Sequence, residues 1–112
     1  MSSLDEKQLL RIENFFKRQE KLYSAKREKV FCTITPTLDT RNLIKITIEI
    51  RSTKNLYGWR NYLDIYTYII RTRKLHSEHI PDNPHKESQE KELLELIELW
   101  VRVVDQIKNN PE

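Results

Sequence analysis

Hydrophobic residues recur at helical spacing near both ends of the chain. Over residues 4–28 they fall within an arc of about 140° on a helical wheel, and no Gly or Pro interrupts the segment. Over residues 84–108 the apolar arc widens to about 220°. Ser3 and Glu6 have the spacing of a capping box, which is typical of a helix start. The pattern therefore predicts helices over 4–28 and 84–108.

Between these helices the hydrophobic period changes to two. Residues 30–35 alternate Val, Cys and Ile with Phe and Thr, and residues 44–51 alternate Ile with polar or charged side chains. Alternation of this kind, rich in β-branched residues, is typical of strands with one buried face. The stretch 36–42 opens with a Pro and is mostly polar, which favours a turn. An antiparallel hairpin over about 29–52 is predicted.

Residues 59–75 allow two interpretations. Their apolar side chains close an arc of about 160°, which predicts a third helix. The abundance of Tyr, Ile and Thr instead favours a strand, so a third strand is the alternative. With the helix adopted, the fold class is a single small α+β domain over residues 1–112 in the order α-β-β-α-α. In this fold an antiparallel β-hairpin packs against amphipathic helices.

The last predicted helix is more broadly apolar than a helix that covers a core from one side, which needs a stripe somewhat wider than about 100°. A two-stranded hairpin also leaves two strand edges without partners. A homodimer that buries this helix, a strand edge or both would account for the two features, and a central helix in a compact monomer is the alternative. The predicted oligomer interface consists of apolar residues of this helix: Leu94, Ile97, Leu99, Trp100, Val101 and Val104.

Charge is unevenly distributed along the 112 residues, 33% of which are charged, with a formal net charge of +3. Residues 1–80 hold 16 Lys and Arg against 9 Asp and Glu, whereas residues 81–112 hold 4 against 8. A basic body with an acidic last helix suits either a polyanionic partner or contacts between oppositely charged faces of two copies. The single Gly argues against a glycine-rich phosphate loop.

Two groups of residues are candidates for nucleic-acid contacts. The first is a basic stripe on the polar side of the first predicted helix, where segregated charges can follow phosphates. The second combines an aromatic ring with basic residues in the segment 59–75, which suits base stacking and phosphate neutralisation. A solvated surface is the alternative for both groups. The candidates are Lys7, Arg11, Arg18, Lys21 and Lys29 in the first group, and Arg60, Tyr68, Arg71 and Lys74 in the second.

The histidines are concentrated in one stretch, at positions His76, His79 and His85. Their spacing matches no metal site of defined local geometry, so no metal ion and no cofactor is predicted. Arg71 and His76 have an Arg-x4-His spacing, which resembles that of helical ribonucleases of the HEPN type and implies a ribonuclease centred on a histidine. Those proteins are all-helical, whereas a hairpin is predicted in the middle of this chain, and the activity is not carried over.

Cysteine content and hydropathy bear on the cellular compartment. Cys32 is the only cysteine, so an internal disulfide and a multi-cysteine zinc site are excluded. Its place on the apolar side of the first strand is typical of a small core residue. We see neither a secretory signal nor an apolar run long enough to span a bilayer, and expect an intracellular, cytoplasmic protein without a membrane partner.

Three functional classes follow from these observations. The leading hypothesis is a non-catalytic protein-interaction or regulatory module that acts as a homo-oligomer, with a second copy or another protein as its partner. A small basic nucleic-acid-binding protein is the first alternative. A small ribonuclease-like enzyme that uses His76 or His79 is the second, and the sequence alone provides no mutual geometry for its residues.

Overall fold

Two helices and four strands make up the computed structural model, which describes residues 3–55 and 59–110. The elements are α1 Glu6–Ala25, β1 Val30–Leu38, β2 Leu43–Asn55, β3 Trp59–Ile69, β4 Lys74–Ile80 and α2 Lys86–Asn109. The strands form an antiparallel meander in the order β1-β2-β3-β4. The α+β class is therefore confirmed, whereas the predicted order α-β-β-α-α is wrong, because four strands stand between the two helices.

The predicted helix over 59–75 is replaced by β3, the turn after it and the start of β4. β3 pairs with β2 along its whole length, with Tyr66 opposite Ile48. Its period of two is hidden in the sequence because both of its faces carry apolar side chains: Tyr66 points towards the helices, and Leu63 and Ile65 point away from them. The alternative of a third strand is correct for β3, and β4 was not predicted.

The start of α1 ties the two ends of the chain together. The N-cap is Asp5, and its side chain accepts a hydrogen bond from the backbone N–H of Gln8 at 2.8 Å. The Gln8 side chain in turn accepts one from the Asp5 backbone N–H at 3.0 Å, which completes a capping box. The box expected at Ser3 and Glu6 is therefore displaced by two residues. Gln8 also donates to the carbonyl of Ile107 at the end of α2.

Both helices pack on the same face of the sheet, and the core lies between them and this face. Ile46, Ile48 and Ile50 alternate along β2 and are completely buried there. Each Ile side chain taken out of water contributes about 1.5–3 kcal/mol to folding. The helices bury Ile12, Phe15, Phe16 and Tyr23 of α1 and Leu93, Ile97, Trp100, Val104 and Ile107 of α2.

The wide apolar arc of α2 is largely covered within the chain. The middle of the arc is buried against the sheet, and its flanks are partly buried against the same core. One flank meets α1, where the rings of Phe16 and Trp100 contact each other edge to face with centroids 6.0 Å apart. No helix within the described residues is both long and apolar enough to cross a membrane.

The β1 edge of the sheet is closed by side chains of α1. The backbone N–H of Cys32 donates to the Ser24 hydroxyl at 3.1 Å, and that of Ile34 donates to the Glu20 carboxylate at 2.6 Å. These two N–H groups point away from β2 and would otherwise be free to pair with another strand. α1 therefore both covers the core and blocks this edge.

Candidate functional site

The face of the sheet that points away from both helices is called the outer face here. Side chains alternate across a strand, so the pairing register assigns every second residue of each strand to it. All of its residues are exposed or half-buried, whereas the helix-covered face is mostly buried. Where all four strands pair, the outer face consists of Phe31, Thr33, Thr35 and Thr37 of β1, Lys45, Thr47, Glu49 and Arg51 of β2, Leu63, Ile65, Thr67 and Ile69 of β3, and Lys74, His76, Glu78 and Ile80 of β4.

Cross-strand pairing sorts these residues into rows that run across all four strands. Three consecutive rows are the acidic row, the threonine row and the basic row. They consist, in that order, of Thr33, Glu49, Ile65 and Glu78; of Thr35, Thr47, Thr67 and His76; and of Thr37, Lys45, Ile69 and Lys74. Neighbouring rows are about 7 Å apart, because they follow every second residue along each strand. The threonine row therefore lies midway between opposite charges.

A fourth row, beyond the acidic one, is largely apolar. It consists of Phe31, Arg51, Leu63 and Ile80. Phe31 is 71% exposed and Ile80 57% exposed, the two highest values among the large hydrophobic residues of the described chain. The Arg51 guanidinium lies 3.7 Å from the Glu49 carboxylate of the acidic row. Large apolar side chains gathered on a polar surface are typical of an interaction site.

The residues predicted to form an oligomer interface on α2 are placed differently from one another. Ile97, Trp100 and Val104 are buried in the chain's own core, so the folded chain does not offer them to a second molecule. The reason is that the sheet and α1 together cover most of the apolar arc. Leu94 and Val101 are partly buried against the core, and Leu99 is 50% exposed. Of the six, only Leu99 presents much of its side chain to solvent.

A groove of about 700 Å³ between α1 and the end of α2 gathers four basic side chains, and it is called the basic groove here. Arg11, Lys17, Arg18 and Lys21 of α1 line it, and among the described residues that line it none is acidic. Three of the four were predicted from the helix-one stripe, and Lys17 was not. Its position one residue before Arg18 places it on the neighbouring side of the helix, and only the packing of α2 shows that both sides border one groove.

The other predicted nucleic-acid residues do not join the basic groove. Lys7 is exposed in the first turn of α1, and Lys29 precedes β1 with a positive φ of 56°. Arg71 lies in the turn between β3 and β4, and Lys74 belongs to the basic row of the outer face. Arg60 lies in β3, with its side chain outside the described residues.

Tyr68 is 7% exposed and points towards the helices, not towards solvent. The helical wheel had placed it on the polar side of a helix over 59–75. In a strand, Tyr68 shares a face with Tyr66 because the two residues are two positions apart. Its ring therefore belongs to the core and is not accessible for base stacking in this fold.

A buried carboxylate organises a polar network beside β4. Asp64 of β3 is completely buried, and its Oδ1 lies 2.6 Å from Nδ1 of His79, its cross-strand neighbour. Its Oδ2 accepts a hydrogen bond from the Asn83 side chain at 3.0 Å. On the other side of the imidazole, Nε2 of His79 lies 3.2 Å from the exposed Ser77 hydroxyl. A buried charge is tolerated because every one of these contacts is a hydrogen bond to it or to its partner.

Aromatic packing holds this network against α2. The rings of Tyr66 and His79 meet edge to face with centroids 5.5 Å apart. The Tyr66 hydroxyl donates to the Gln89 side chain at 2.9 Å, and Asn83 donates to the same oxygen at 3.2 Å. Burial, and then the negative charge of Asp64, raise the pKa of the Tyr66 phenol well above its usual range, so the phenol stays a hydrogen-bond donor.

The network was not predicted, although Asp64 gave a signal as the one carboxylate within an apolar stretch. Asn83 lies in the loop before α2, whose N-cap is His85. His76 lies on the outer face, opposite to the face that holds His79. Among the described residues, no three His, Cys, Asp or Glu side chains are grouped so that they could hold a metal ion.

The Arg-x4-His spacing does not lie on a helix. Arg71 is in the turn after β3, and His76 is in the middle of β4. The likeness to HEPN ribonucleases depended on both residues being helical, and the structure removes that basis.

Cys32 is buried on the helix-covered face of β1. Burial, with the negative charge of Glu20 as the second cause, raises the pKa of its thiol to about 12. A thiol with so high a pKa is a poor nucleophile at neutral pH, which agrees with its interpretation as a core residue.

Comparison of the chain with protein-family models, with curated proteins and with solved structures finds no match. The functional argument therefore depends on the geometry of the outer face, the basic groove and the Asp64 network.

Proposed function

We propose that this chain is a protein-interaction module that forms a homodimer by packing the outer faces of two sheets against each other. The observation that carries the proposal is the order of the rows on the outer face. An acidic row and a basic row lie at equal distances on either side of the threonine row. Such an arrangement is complementary to itself, as the interface of a twofold-symmetric dimer must be.

A twofold axis laid along the threonine row reverses the strands of the second copy and keeps each strand over its own equivalent. The acidic row of each copy then lies over the basic row of the other. In β2 this brings Glu49 over Lys45 of the second copy, and in β4 it brings Glu78 over Lys74. In β3 it brings the half-buried Ile65 over Ile69. Oppositely charged pairs therefore flank an apolar contact, and they favour this register over others.

The size and texture of the face suit sheet-on-sheet packing. Four strands span about 19 Å, and the three rows that overlap about this axis span about 14 Å along the strands. Two sheets pack about 10 Å apart, with the inner side chains of both meeting between them. Thr side chains in the threonine row are short enough for two sheets to approach, and Thr pairs contribute favourably across strands.

Reversing the charges of one row at a time tests the proposal. The all-acidic variant carries Lys45→Glu and Lys74→Glu, and the all-basic variant carries Glu49→Lys and Glu78→Lys. We expect the wild type to sediment as a dimer at micromolar concentration and each variant to sediment as a monomer, because equal charges then face each other across the axis. An equimolar mixture of the two variants should form a heterodimer with one chain of each.

The control variant Lys7→Glu, Lys91→Glu changes the net charge as much as the all-acidic variant does, at exposed positions of the two helices. It should dimerise like the wild type. A wild type that sediments as a monomer, or variants that dimerise like the wild type, would contradict the proposal. A mixture that stays monomeric would contradict the row pairing on which the proposal depends.

The basic groove supports a second candidate function, the binding of a nucleic-acid strand. Its four basic residues span residues 11–21, or about 15 Å of α1. One strand of duplex DNA presents about four phosphates over that length. The Arg11 guanidinium also donates to the carbonyl of Asn110 at 3.1 Å, which holds it at the groove's mouth. The groove is on the helix side of the molecule and the proposed dimer face is on the other side. A homodimer could therefore still bind nucleic acid in its grooves.

Fluorescence anisotropy with single- and double-stranded DNA and RNA at two salt concentrations tests this second function. Lys17→Ala, Lys21→Ala should weaken binding to every sequence and reduce the salt slope on duplex DNA by about 1.8. The control Lys26→Ala, Lys91→Ala removes the same charge outside the groove and should change binding far less. Absence of binding at low salt, or binding without a salt slope, would exclude the function.

A further inference from the structure

We propose that Ser77, His79 and Asp64 form a nucleophilic centre beside the open edge of β4, with an acyl group carried on an extended chain as its substrate class. The three side chains are in contact: Asp64 Oδ1 lies 2.6 Å from His79 Nδ1, and His79 Nε2 lies 3.2 Å from Ser77 Oγ, two residues away on the same strand. This is the order of contacts by which a carboxylate, an imidazole and a hydroxyl activate a serine. The centre lies on the helix side of the sheet and is independent of the proposed dimer face.

The direction of the hydrogen bonds is the one that activation requires. An ionised carboxylate can only accept, so the Nδ1 atom that faces Asp64 carries the proton. In the neutral imidazole Nε2 is then the acceptor, and the Ser77 hydroxyl donates to it. The orientation of the ring is held by its edge-to-face contact with Tyr66 and by Asn83, which donates to the second oxygen of Asp64. Asn83 and Asp64 are therefore positioning residues.

Burial is graded along the three side chains as the reaction needs it. Asp64 is completely buried, the His79 side chain is 9% exposed, and Ser77 is exposed. The buried carboxylate keeps its charge close to the imidazole with little screening by water. The hydroxyl at the other end is the group that a substrate can reach.

The backbone at Ser77 supplies what a substrate chain would pair with. The hydrogen bond from Ile70 N to Ile44 O at 3.0 Å sets the alternation of the β2–β3 ladder, and Tyr66 therefore directs its backbone groups towards β2. Ser77, opposite Tyr66, must then direct its N–H and C=O away from β3. The same alternation turns outward the two β1 amides that α1 caps. On β4, no strand of the described chain covers that side.

An extended chain that pairs with this edge adds one strand to the sheet. Its carbonyl group beside Ser77 would meet the hydroxyl on one side and the outward N–H of Ser77 as a donor to the developing oxyanion. In the reaction, Ser77 Oγ forms a bond to the acyl carbon, and its proton passes to His79 Nε2. The bond from that carbon to the leaving group breaks, the leaving group takes the proton from His79, and Ser77 remains acylated. Water then releases the acid by the reverse transfers.

A fluorophosphonate probe tests the centre without knowledge of the natural substrate. Attack by Ser77 Oγ on phosphorus displaces fluoride, and the serine proton passes to His79. We expect one adduct per chain in the intact mass, located at Ser77 by peptide mapping. Ser77→Ala should abolish it. Asp64→Asn should slow it by roughly 10³–10⁴-fold, because an amide facing Nδ1 favours the tautomer whose Nε2 carries a proton.

Both variants should keep the fold. Ser77 is exposed, and Asp64→Asn preserves the shape of the buried side chain, so the circular dichroism spectrum of each variant should match that of the wild type. Ser88→Ala removes an exposed hydroxyl that bonds only its own helix turn, at the carbonyl of His85, and should label like the wild type. A wild type without an adduct, an adduct at another serine, or equal labelling rates for wild type and Asp64→Asn would each overturn the proposal.

Discussion

The two faces of the sheet are built from the same four strands and differ in almost every other respect. On the helix-covered face, side chains such as Ile48 and Tyr66 are completely buried and the one carboxylate, Asp64, is held by hydrogen bonds. On the outer face the neighbouring residues Ile65 and Thr67 are half-buried, and charges are sorted into an acidic and a basic row. The first face has its complement within the chain, whereas the second is ordered without one.

This difference separates what stabilises the monomer from what is left for association. Apolar area on the covered face is already removed from water, and it contributes to folding. The half-buried Ile65 and Ile69 contribute less to folding, and they retain apolar surface area that a second sheet could cover. The comparison therefore predicts that substitutions on the two faces change different measurable quantities.

The largest expected effect is on the covered face. Ile48→Ala removes a completely buried side chain beneath the helices, and we expect it to lower the free energy of unfolding by about 2–5 kcal/mol. Ile65→Ala, the matched change on the outer face, should cost less than half as much. Urea unfolding of both in the all-acidic background keeps association out of the measurement. Equal losses for the two would contradict the contrast between the faces.

The second effect concerns association and reverses the ranking of the faces. Ile65→Thr keeps a β-branched residue in the strand and removes the apolar contact with Ile69 of the second copy. Since each dimer contains this contact twice, we expect the dissociation constant to rise at least tenfold, or about 1.4 kcal/mol. Sedimentation equilibrium measures it.

Leu99→Ala is the control for this second prediction, because Leu99 is the most exposed of the residues predicted to form an interface on α2. If the dimer forms through the outer face, the dissociation constant of Leu99→Ala should equal that of the wild type. If Leu99→Ala weakens the dimer and Ile65→Thr does not, the interface lies on α2.

The contrast between the faces also explains which elements could be predicted from the sequence. β2 alternates strictly because its outward residues, such as Lys45 and Glu49, are charged, and its strand was predicted. β3 places Leu63 and Ile65 on its outward face, so apolar side chains no longer alternate and the same segment fits a helical wheel. The strand most apolar on its outer face was thus predicted as a helix. β4 could not be predicted either, because its pairing partner is β3, which was predicted as a helix.

Candidate sites were predictable only where one element carries them. The stripe with Arg11 and Lys21 is a property of one helix, so three of the four basic-groove residues were predicted. The Asp64 network connects Asp64 of β3 with residues that lie 13 to 25 positions further along the chain, on β4, in a loop and on α2. Rows on the outer face likewise exist only after the register of all four strands is known.

A smaller effect is expected at the β1 edge, where α1 extends the protection of the covered face around the side of the sheet. Glu20→Ala leaves the partly buried N–H of Ile34 without its acceptor, and should lower the free energy of unfolding by about 1 kcal/mol. Glu13→Ala changes an exposed carboxylate of the same helix and should have almost no effect. Urea unfolding of the two variants compares them directly. Equal stabilities would show that the carboxylate of Glu20 does not satisfy this edge.

The smallest change, one that leaves the fold intact, compares two neighbouring positions of β1. Cys32 lies on the covered face, and Phe31 lies on the outer face with 71% of its side chain exposed. Because burial raises the pKa of the Cys32 thiol to about 12, only about one molecule in 10⁴ carries the reactive thiolate at pH 8. In dilute solution at that pH, an aromatic disulfide reagent should leave native Cys32 unmodified, and it should modify Cys32 fully in denaturant.

Phe31→Cys combined with Cys32→Ala moves the thiol by one residue to the outer face. This thiol should react within seconds to minutes without denaturant. Similar rates at the two positions would mean that residues 31 and 32 do not lie on opposite faces of the sheet.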